Sequence, residues 1–267
     1  MLERERHRLI LKAVEERGVC ATGDLVDLLG ASEATVRRDI AAMAARGEVR
    51  RVRGGVEALR PKPQLQLAGA PFEVRRKARV QQKRAIARAA AALIEPNESI
   101  ILNTGTTTLH MVEFLADKNL DILTNSFPIA AQLIGHGRNR VTLPGGTVYR
   151  EQGIILSPFD NDVIGNFWAK RLFTGCYGIN GFGMMEADPL IAQAEVKLLE
   201  RADQIVVLAD SRKLEQRSSM IVAPLERIAA LITDDGADEA ALQPLRAAGV
   251  EIVIADATEA GGLVDVA

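Results

Sequence analysis

The chain is poor in the residues that staple or metallate a fold, having two cysteines and three histidines. Cys20 and Cys176 stand far apart in unrelated contexts, and His7, His110 and His136 are scattered without ligand spacing. That argues against a disulfide framework and against a zinc site, and no cofactor is expected. No apolar run approaches the roughly 18 residues of a membrane span. The opening MLERERHRLILKAVEERG mixes acids with bases and lacks the apolar core and small-residue cleavage site of a secretory leader. These absences predict a chain that stays in the cytoplasm and has no membrane partner. They also leave little catalytic hardware: there is no Ser-His-Asp set, no metal cluster and no phosphate-binding P-loop.

What remains is 267 residues of globular composition, 48% hydrophobic and 25% charged, enough for one large domain or two unequal ones. The net charge of -2 is unevenly divided. Residues 1 to 60 carry 12 Lys/Arg against 10 Asp/Glu, and the rest 21 against 25. Between 37 and 60 seven arginines face only Asp39, Glu48 and Glu57.

Leu9, Ile10, Ala13 and Val14 recur at helical spacing up to Gly18. Thr22 is placed to cap a second short helix, which buries Leu25, Leu28 and Leu29 and ends at Gly30. Ser32 caps a third, TVRRDIAAMAARG, whose inward stripe is Val36, Ile40 and Met43. Glu48 to Val52 and Val56 to Leu59 then read as strands joined by Arg53-Gly54-Gly55. Three helices and a glycine hairpin predict a winged helix-turn-helix, with the third helix in the major groove. Arginine forks bond guanine edges or phosphates bidentately, and Ser32 and Thr35 at a helix start can reach phosphate. The expected contacts to double-stranded operator DNA are Ser32, Glu33, Thr35, Arg37, Arg38, Arg50, Arg51, Arg53, Gly54 and Gly55. The alternative, a solvated arginine pair, does not account for the capped helix and basic wing together.

RPKPQLQLAGAP has no periodicity and reads as linker, so the division is a winged helix over 1–60, a linker over 61–74 and an α/β domain over 75–267. Seven Lys/Arg without an acid follow over 75 to 88, expected to be a solvated helix face with Val80, Ile86 and Ala90 on its apolar side rather than a second DNA contact. From Ser99 onward SIILN, DILTN, RVTLPGG, LFTGCYG, QIVVLAD, ALITDD and EIVIA alternate with helical segments, predicting a largely parallel sheet.

LGASEATVRRDIAAMAARGEVRRVRGGVEAL resembles the N-terminal signature of the DeoR family of bacterial transcriptional regulators. Thr104-Gly105-Thr106-Thr107-Thr108, Thr124-Asn125-Ser126, Pro144-Gly145-Gly146, Ala194-Glu195-x-Lys197 and Ala209-Asp210-Ser211-x-Lys213 are similar to that family's sensor domain. LPGGTVYREQGIILSP, FTGCYGINGFGMM and ADSRKLEQRSSM resemble the branch concerned with L-ascorbate utilisation. The resemblance implies a sensor sharing its fold with ribose-5-phosphate isomerase, and a phosphorylated sugar or sugar-acid effector. It departs from the family at Arg171-Leu172-Phe173-Thr174-Gly175 and at Met184-Met185.

The residues are compatible with that effector. Two strand-to-helix turns, at 104–108 and 124–126, lie where open α/β sheets bind ligands, and Lys213 supplies positive charge. The expected effector residues are Thr104, Gly105, Thr106, Thr107, Thr108, Thr124, Asn125, Ser126, Gly145, Gly146, Asn180, Glu195, Asp210 and Lys213. Taken singly, the threonines are also ordinary caps and Glu195 with Lys197 an ordinary ion pair. The function expected is a ligand-controlled repressor of a carbohydrate-utilisation operon, not an enzyme, acting as a homo-oligomer, dimer or tetramer, on a two-fold operator. The rival is an isomerase-like enzyme with an accessory DNA-binding domain, suggested by Asp235-Gly236-Ala237-Asp238-Glu239; the bland reading of that string is acids at a helix start. An architectural DNA-binding protein would leave the two threonine turns unexplained.

Overall fold

A computed structural model describes residues 3–17, 19–59, 71–159 and 161–257. The chain divides into two compact units, residues 1–67 and 68–267.

In the first unit α1 (Glu3–Arg17), β1 (Val19–Ala21), α2 (Thr22–Leu29) and α3 (Glu33–Ala45) precede the wing strands β2 (Val49–Val52) and β3 (Gly55–Ala58). Ile10, Ala13, Val14, Leu25, Leu29, Val36, Ile40 and Met43 close on one core, the stripes that the spacing predicted. Leu28 instead lies on the exposed side of α2. Ser32 caps α3, its Oγ accepting from Thr35 N–H at 3.3 Å. Thr22 does not cap α2: it is the first helical residue, and its hydroxyl donates to Gly54 O at 3.1 Å beside its own N–H at 2.9 Å. The wing is a three-stranded sheet in the order β1-β3-β2, antiparallel throughout. Gly54 turns the hairpin at φ +79, the left-handed region that favours glycine. Gly55 belongs to β3, where a Cβ would stand 2.2 Å from Cys20 O.

Asp39, inside the arginine-rich helix, faces inward. It is 4% exposed and accepts from Arg6 Nε at 2.7 Å, Arg6 Nη2 at 3.1 Å and His7 Nε2 at 3.2 Å. His7 Nδ1 in turn accepts from Arg46 at 3.0 Å. This network ties α1 to α3 where apolar contact alone leaves them free to slide.

The expected linker lies outside the described residues as far as position 70, and its last residues are helical. The second unit opens with α4 (Phe72–Arg76) and α5 (Val80–Ala92). It continues through β4 (Ser99–Leu102), α6 (Thr106–Met111), β5 (Asp121–Thr124), α7 (Phe127–Gly135), β6 (Arg140–Thr142), β7 (Thr147–Tyr149) and β8 (Ile154–Leu156). Then come β9 (Ala169–Thr174), β10 (Gly178–Asn180), β11 (Gly183–Glu186), α8 (Pro189–Leu199), β12 (Ala202–Leu208), β13 (Met220–Ala223), β14 (Ile228–Asp234), α9 (Glu239–Ala247) and β15 (Glu251–Ala255). All seven expected strands join one sheet in the order β15-β14-β12-β9-β4-β5-β6, and every pairing in it is parallel. Successive residues enter opposite cores: Ile100 and Leu102 pack with α5, α6 and α7, while Ile101 packs with α8 and α9. Burial on both faces explains why these strands read as continuous apolar runs. The β7–β8 hairpin and the small β10-β11-β13 sheet stand apart from the parallel sheet.

Candidate operator-binding surface and effector cleft

On the first unit α3 presents Glu33, Arg37 and Arg38 to solvent. Arg37 forks onto Glu33 Oε1 at 2.9 and 2.6 Å, an exposed i,i+4 pair of little energetic worth that a phosphate can displace. Arg38 is exposed with no side-chain partner among the described residues. Arg37 and Arg51 line one groove with Thr22, Gly54 and Gly55, so recognition helix and wing present cations to the same hollow. Arg50 pairs with Glu57 across the wing at 2.7 Å, and Arg53 is exposed at its turn. Ser32 and Thr35 share their hydroxyls at 2.9 Å, which holds the helix start. Gly55 is accounted for by the close approach of β1.

The second unit gathers its polar residues at the carboxyl ends of β4, β9 and β12. Asn103, 1% exposed, is the organiser. Its Oδ1 accepts Thr104 N–H at 2.8 Å, which fixes the amide, and its Nδ2 donates to Thr174 Oγ1 at 2.8 Å and Glu195 Oε1 at 2.9 Å. The cleft above is lined by Thr104, Gly105, Thr106, Thr107, Glu195 and Lys213 from the expected set. Arg75, Gln152, Gly175, Cys176, Tyr177, Glu186 and Ile191, which the sequence did not single out, complete it. Lys213 Nζ donates to Cys176 O. No carboxylate lies within ion-pair distance of it among the described residues.

Burial pushes Glu195 well above the usual carboxylate range, and the neighbouring charge of Glu186 adds to the effect. Glu186 is raised by the same cause, against the N–H groups of Ala187 and Asp188 that its Oε1 accepts. Glu195 shares the cleft with the cations Arg75 and Lys213. Its Oε2 and the hydroxyl of Thr104 are buried without partners among the described residues, open positions for a ligand's hydrogen bonds. Burial lifts the Cys176 thiol to about 12, so it is no nucleophile.

Several expected effector residues serve the scaffold instead. Thr108 Oγ1 donates to Gly105 O at 3.0 Å, and a Cβ on Gly105 would stand 2.8 Å from that oxygen. Thr124 Oγ1 accepts Ser126 N–H at 3.1 Å and Ser126 caps α7, both fully buried. Asn125 Oδ1 accepts Thr104 N–H at 3.0 Å, and the residue lines a second cavity of about 240 Å³ with Ser157, Gln193 and Lys197. Gly146 lies against Leu156 O and Gly145 has no close neighbour; neither lines the cleft. Asn180 closes the β10–β11 turn by accepting Phe182 N–H at 3.0 Å. Asp210 is 2% exposed and answers Arg212 at 3.0 Å and Arg79 at 3.9 Å. Burial alone would raise its pKa; Arg212, with the charges of Lys213 and Arg79, holds it below the usual range. Glu195 and Lys197 go separate ways, the lysine donating to Phe159 O at 3.1 Å. Asp238 caps α9 through Ala240 N–H at 3.1 Å, the structural role of the isomerase-like string.

The basic run at 75–88 departs most from expectation. Lys83 is 3% exposed and donates to Arg75 O at 2.5 Å; burial pulls its pKa down to about 8. Arg79 donates to Asp234 Oδ2 at 2.7 Å and Ser211 Oγ at 3.2 Å. These side chains turn inward because the carboxyl ends of β12 and β14 place Asp210 and Asp234 beneath them, a fact of topology that the local pattern does not carry.

A winged helix with arginines on its third helix and wing, and a separate α/β unit with a polar cleft that holds Arg75 and Lys213 at the carboxyl ends of its strands, define a DNA-binding regulator with a sensor. The chain belongs to the DeoR family: residues 6–62 match the DeoR-like helix-turn-helix domain, and residues 78–235 the DeoR C terminal sensor domain. It is 34% identical over 255 residues to the HTH-type transcriptional regulator UlaR of Shigella sonnei (strain Ss046), covering 95% of this chain and 99% of that one. Identity to the protein of the same name from Salmonella newport (strain SL254) is 33% over the same shares. The full-length sorbitol operon regulator SorC from Klebsiella pneumoniae overlaps 90% of this chain and 98% of its own at 15% identity and a TM-score of 0.39. Ribose 5-phosphate isomerase A from Methanocaldococcus jannaschii overlaps 49% and 52% at 15% identity and a TM-score of 0.37. Scores this low carry no weight for chemistry. The protein is a transcriptional regulator, and among the described residues no helix is long and apolar enough to cross a membrane.

Proposed function

We propose that this regulator is a cytoplasmic repressor of a carbohydrate-utilisation operon, released from or driven onto its operator by a phosphorylated sugar or sugar acid that binds the sensor cleft. The observation that carries the reading is Lys213, an ammonium set in the cleft whose hydrogen-bond partner is a backbone carbonyl and which has no carboxylate within ion-pair distance among the described residues. A cation whose hydrogen-bond partner is neutral gains a charge-assisted bond when an anion arrives. Thr104 to Thr107 supply hydroxyls and N–H groups beside it, and the Thr104 hydroxyl and Glu195 Oε2, without partners among the described residues, suit the oxygens of a sugar. Binding without turnover is the expected chemistry: the cleft's carboxyl pair is buried and its thiol inert.

On the DNA side we assign base reading to Arg38 and backbone contact to Arg51 and Arg53, with Arg37 exchanging Glu33 for DNA. One winged helix reads one half-site, so a two-fold operator implies at least a homodimer.

The test begins by sequencing genomic DNA retained by the full-length protein. Operator release is then titrated with ribose 5-phosphate, fructose 6-phosphate, 6-phosphogluconate and L-ascorbate 6-phosphate, beside an isomerase assay. Release at saturable ligand concentration without turnover is expected. Turnover of any of these sugars would return the protein to the enzyme reading.

A further inference from the structure

The sensor cleft holds a second cation from an unexpected place. Arg75 lies on α4, a five-residue helix that only Pro71 separates, along the chain, from the 60–70 stretch leading back to the DNA-binding unit. Its Nη2 donates to Gln152 Oε1 at 2.5 Å, and its Nε has no partner among the described residues. Among the described residues no carboxylate lies within ion-pair distance of it. The buried ammonium of Lys83 rests on its backbone carbonyl rather than on an acid. Arg75, Lys83 and Lys213 thus converge with neutral acceptors only at hydrogen-bonding distance, the charges of Asp210 and Glu186 reaching them from further off, so an anion that bonds them directly gains charge-assisted hydrogen bonds.

The hold of α4 on the unit is thin. A helix of five residues has no stability of its own. Phe72 is 2% exposed in the core, and its N–H donates to Glu151 O at 3.0 Å. Beyond that, Arg75–Gln152 and Lys83–Arg75 O are its polar anchors. The corner into α5 is Arg79, a non-glycine residue at φ +53 pinned to Asp234. A non-glycine residue in that region is strained and is held there by its surroundings.

We propose that Arg75 is an effector-contacting residue, and that the effector's anionic group, by bonding it, fixes α4 and so reports occupancy of the cleft to the DNA-binding unit along the chain itself. Lys213, which stands on the sheet scaffold after β12, binds the same group without reporting it. This rests on reading the cleft as a sugar-phosphate site, and it adds which of the two cations carries the signal. A ligand shifts an equilibrium only through contacts that differ between the two states, and a bond to Arg75 is a contact that a loosened α4 would lose.

The experiment uses the full-length chain, its selected operator and the four sugar phosphates above. Ligand affinity is measured by calorimetry, operator affinity with and without saturating ligand, and hydrogen exchange at residues 72–76. In wild type the ligand slows exchange at 72–76. Arg75→Gln and Lys213→Gln each weaken ligand binding by about tenfold or more, one charge-assisted hydrogen bond. At saturation Lys213→Gln recovers the wild-type change in operator affinity, Arg75→Gln does not, and Arg75→Lys recovers part of it. A full response in saturated Arg75→Gln, or exchange at 72–76 that ignores the ligand in wild type, overturns the relay while the sugar-phosphate site stands. If wild type binds none of the four, the site reading falls and takes the relay with it.

Discussion

Arg38 and Asp39 are neighbours in the sequence and opposites in role, and the helix period alone separates them. Arg38 points to solvent, where a guanidinium can take guanine O6 and N7. Arg38→Ala is expected to lose roughly 1–3 kcal/mol of operator binding but little non-specific affinity, while Arg51→Ala weakens both about equally. Gel-shift titrations at fixed salt with operator and scrambled DNA measure this. Unchanged operator affinity in both variants removes α3 and the wing from the interface. Asp39 points inward, and the Arg6 hydrogen bonds hold its carboxyl below the usual range against the cost of burial, with His7 adding to them. The unfolded chain therefore takes up a proton near pH 4 that native Asp39 still refuses, so the stability it contributes is present above that pH and is lost as pH falls through the lower native value. Asp39→Asn should cost about 2 kcal/mol at neutral pH and flatten this acid limb. Thermal melts of both proteins between pH 3 and 6 decide the matter, and parallel curves count against the assignment.

At the scale of elements, the parallel strands and the three-helix frame are written in local patterns, and the small antiparallel pieces are not. Residues 99–102, 121–124 and 202–208 are buried on both faces, so nearly every position must be apolar and the run shows in the sequence. The β7–β8 hairpin and the β10-β11-β13 sheet are built from three- and four-residue strands that pair with each other but carry no alternation long enough to read. The segment 75–88 has the converse problem: its basic residues look like a solvated face, and Asp234 and Gln152, distant in sequence, draw Arg79 and Arg75 inward while the Arg75 carbonyl takes Lys83. Lys83 shows the energetic consequence. Its native pKa of about 8 lies below the ordinary 10.5, so between those values the unfolded chain binds the extra proton and stability rises with pH. Lys83→Met should remove that alkaline rise and raise the melting temperature of the ligand-free protein at pH 7. Melts from pH 7 to 10.5 check it, and an identical alkaline slope in the variant would refute it.

For the whole molecule, the cores of the two units share no residue: Ile10, Val36 and Met43 belong to one, and the cores on both faces of the parallel sheet to the other. Two independent cooperative transitions are expected in scanning calorimetry. Asp39→Asn should move only the transition of the first unit, and a sugar phosphate only that of the second, by mass action. A single transition that both perturbations move together would mean that the units fold as one.

The sequence by itself determined the winged helix, the parallel order of α/β elements and the turn at Gly105 that carries the cleft, because each is fixed by residues within a few positions of one another: caps, periodic stripes, glycines. It also singled out Lys213 and Glu195 through their family motifs. The tertiary structure alone decided which candidates meet. It drew Thr108, Thr124 and Ser126 into caps and turns, sent Asn180 to a hairpin, and brought Arg75, Gln152 and Glu186 from three separate segments to one cleft. Burial and charge compensation act through space, and no pattern along the chain records which distant carboxylate or carbonyl a lysine or arginine will find.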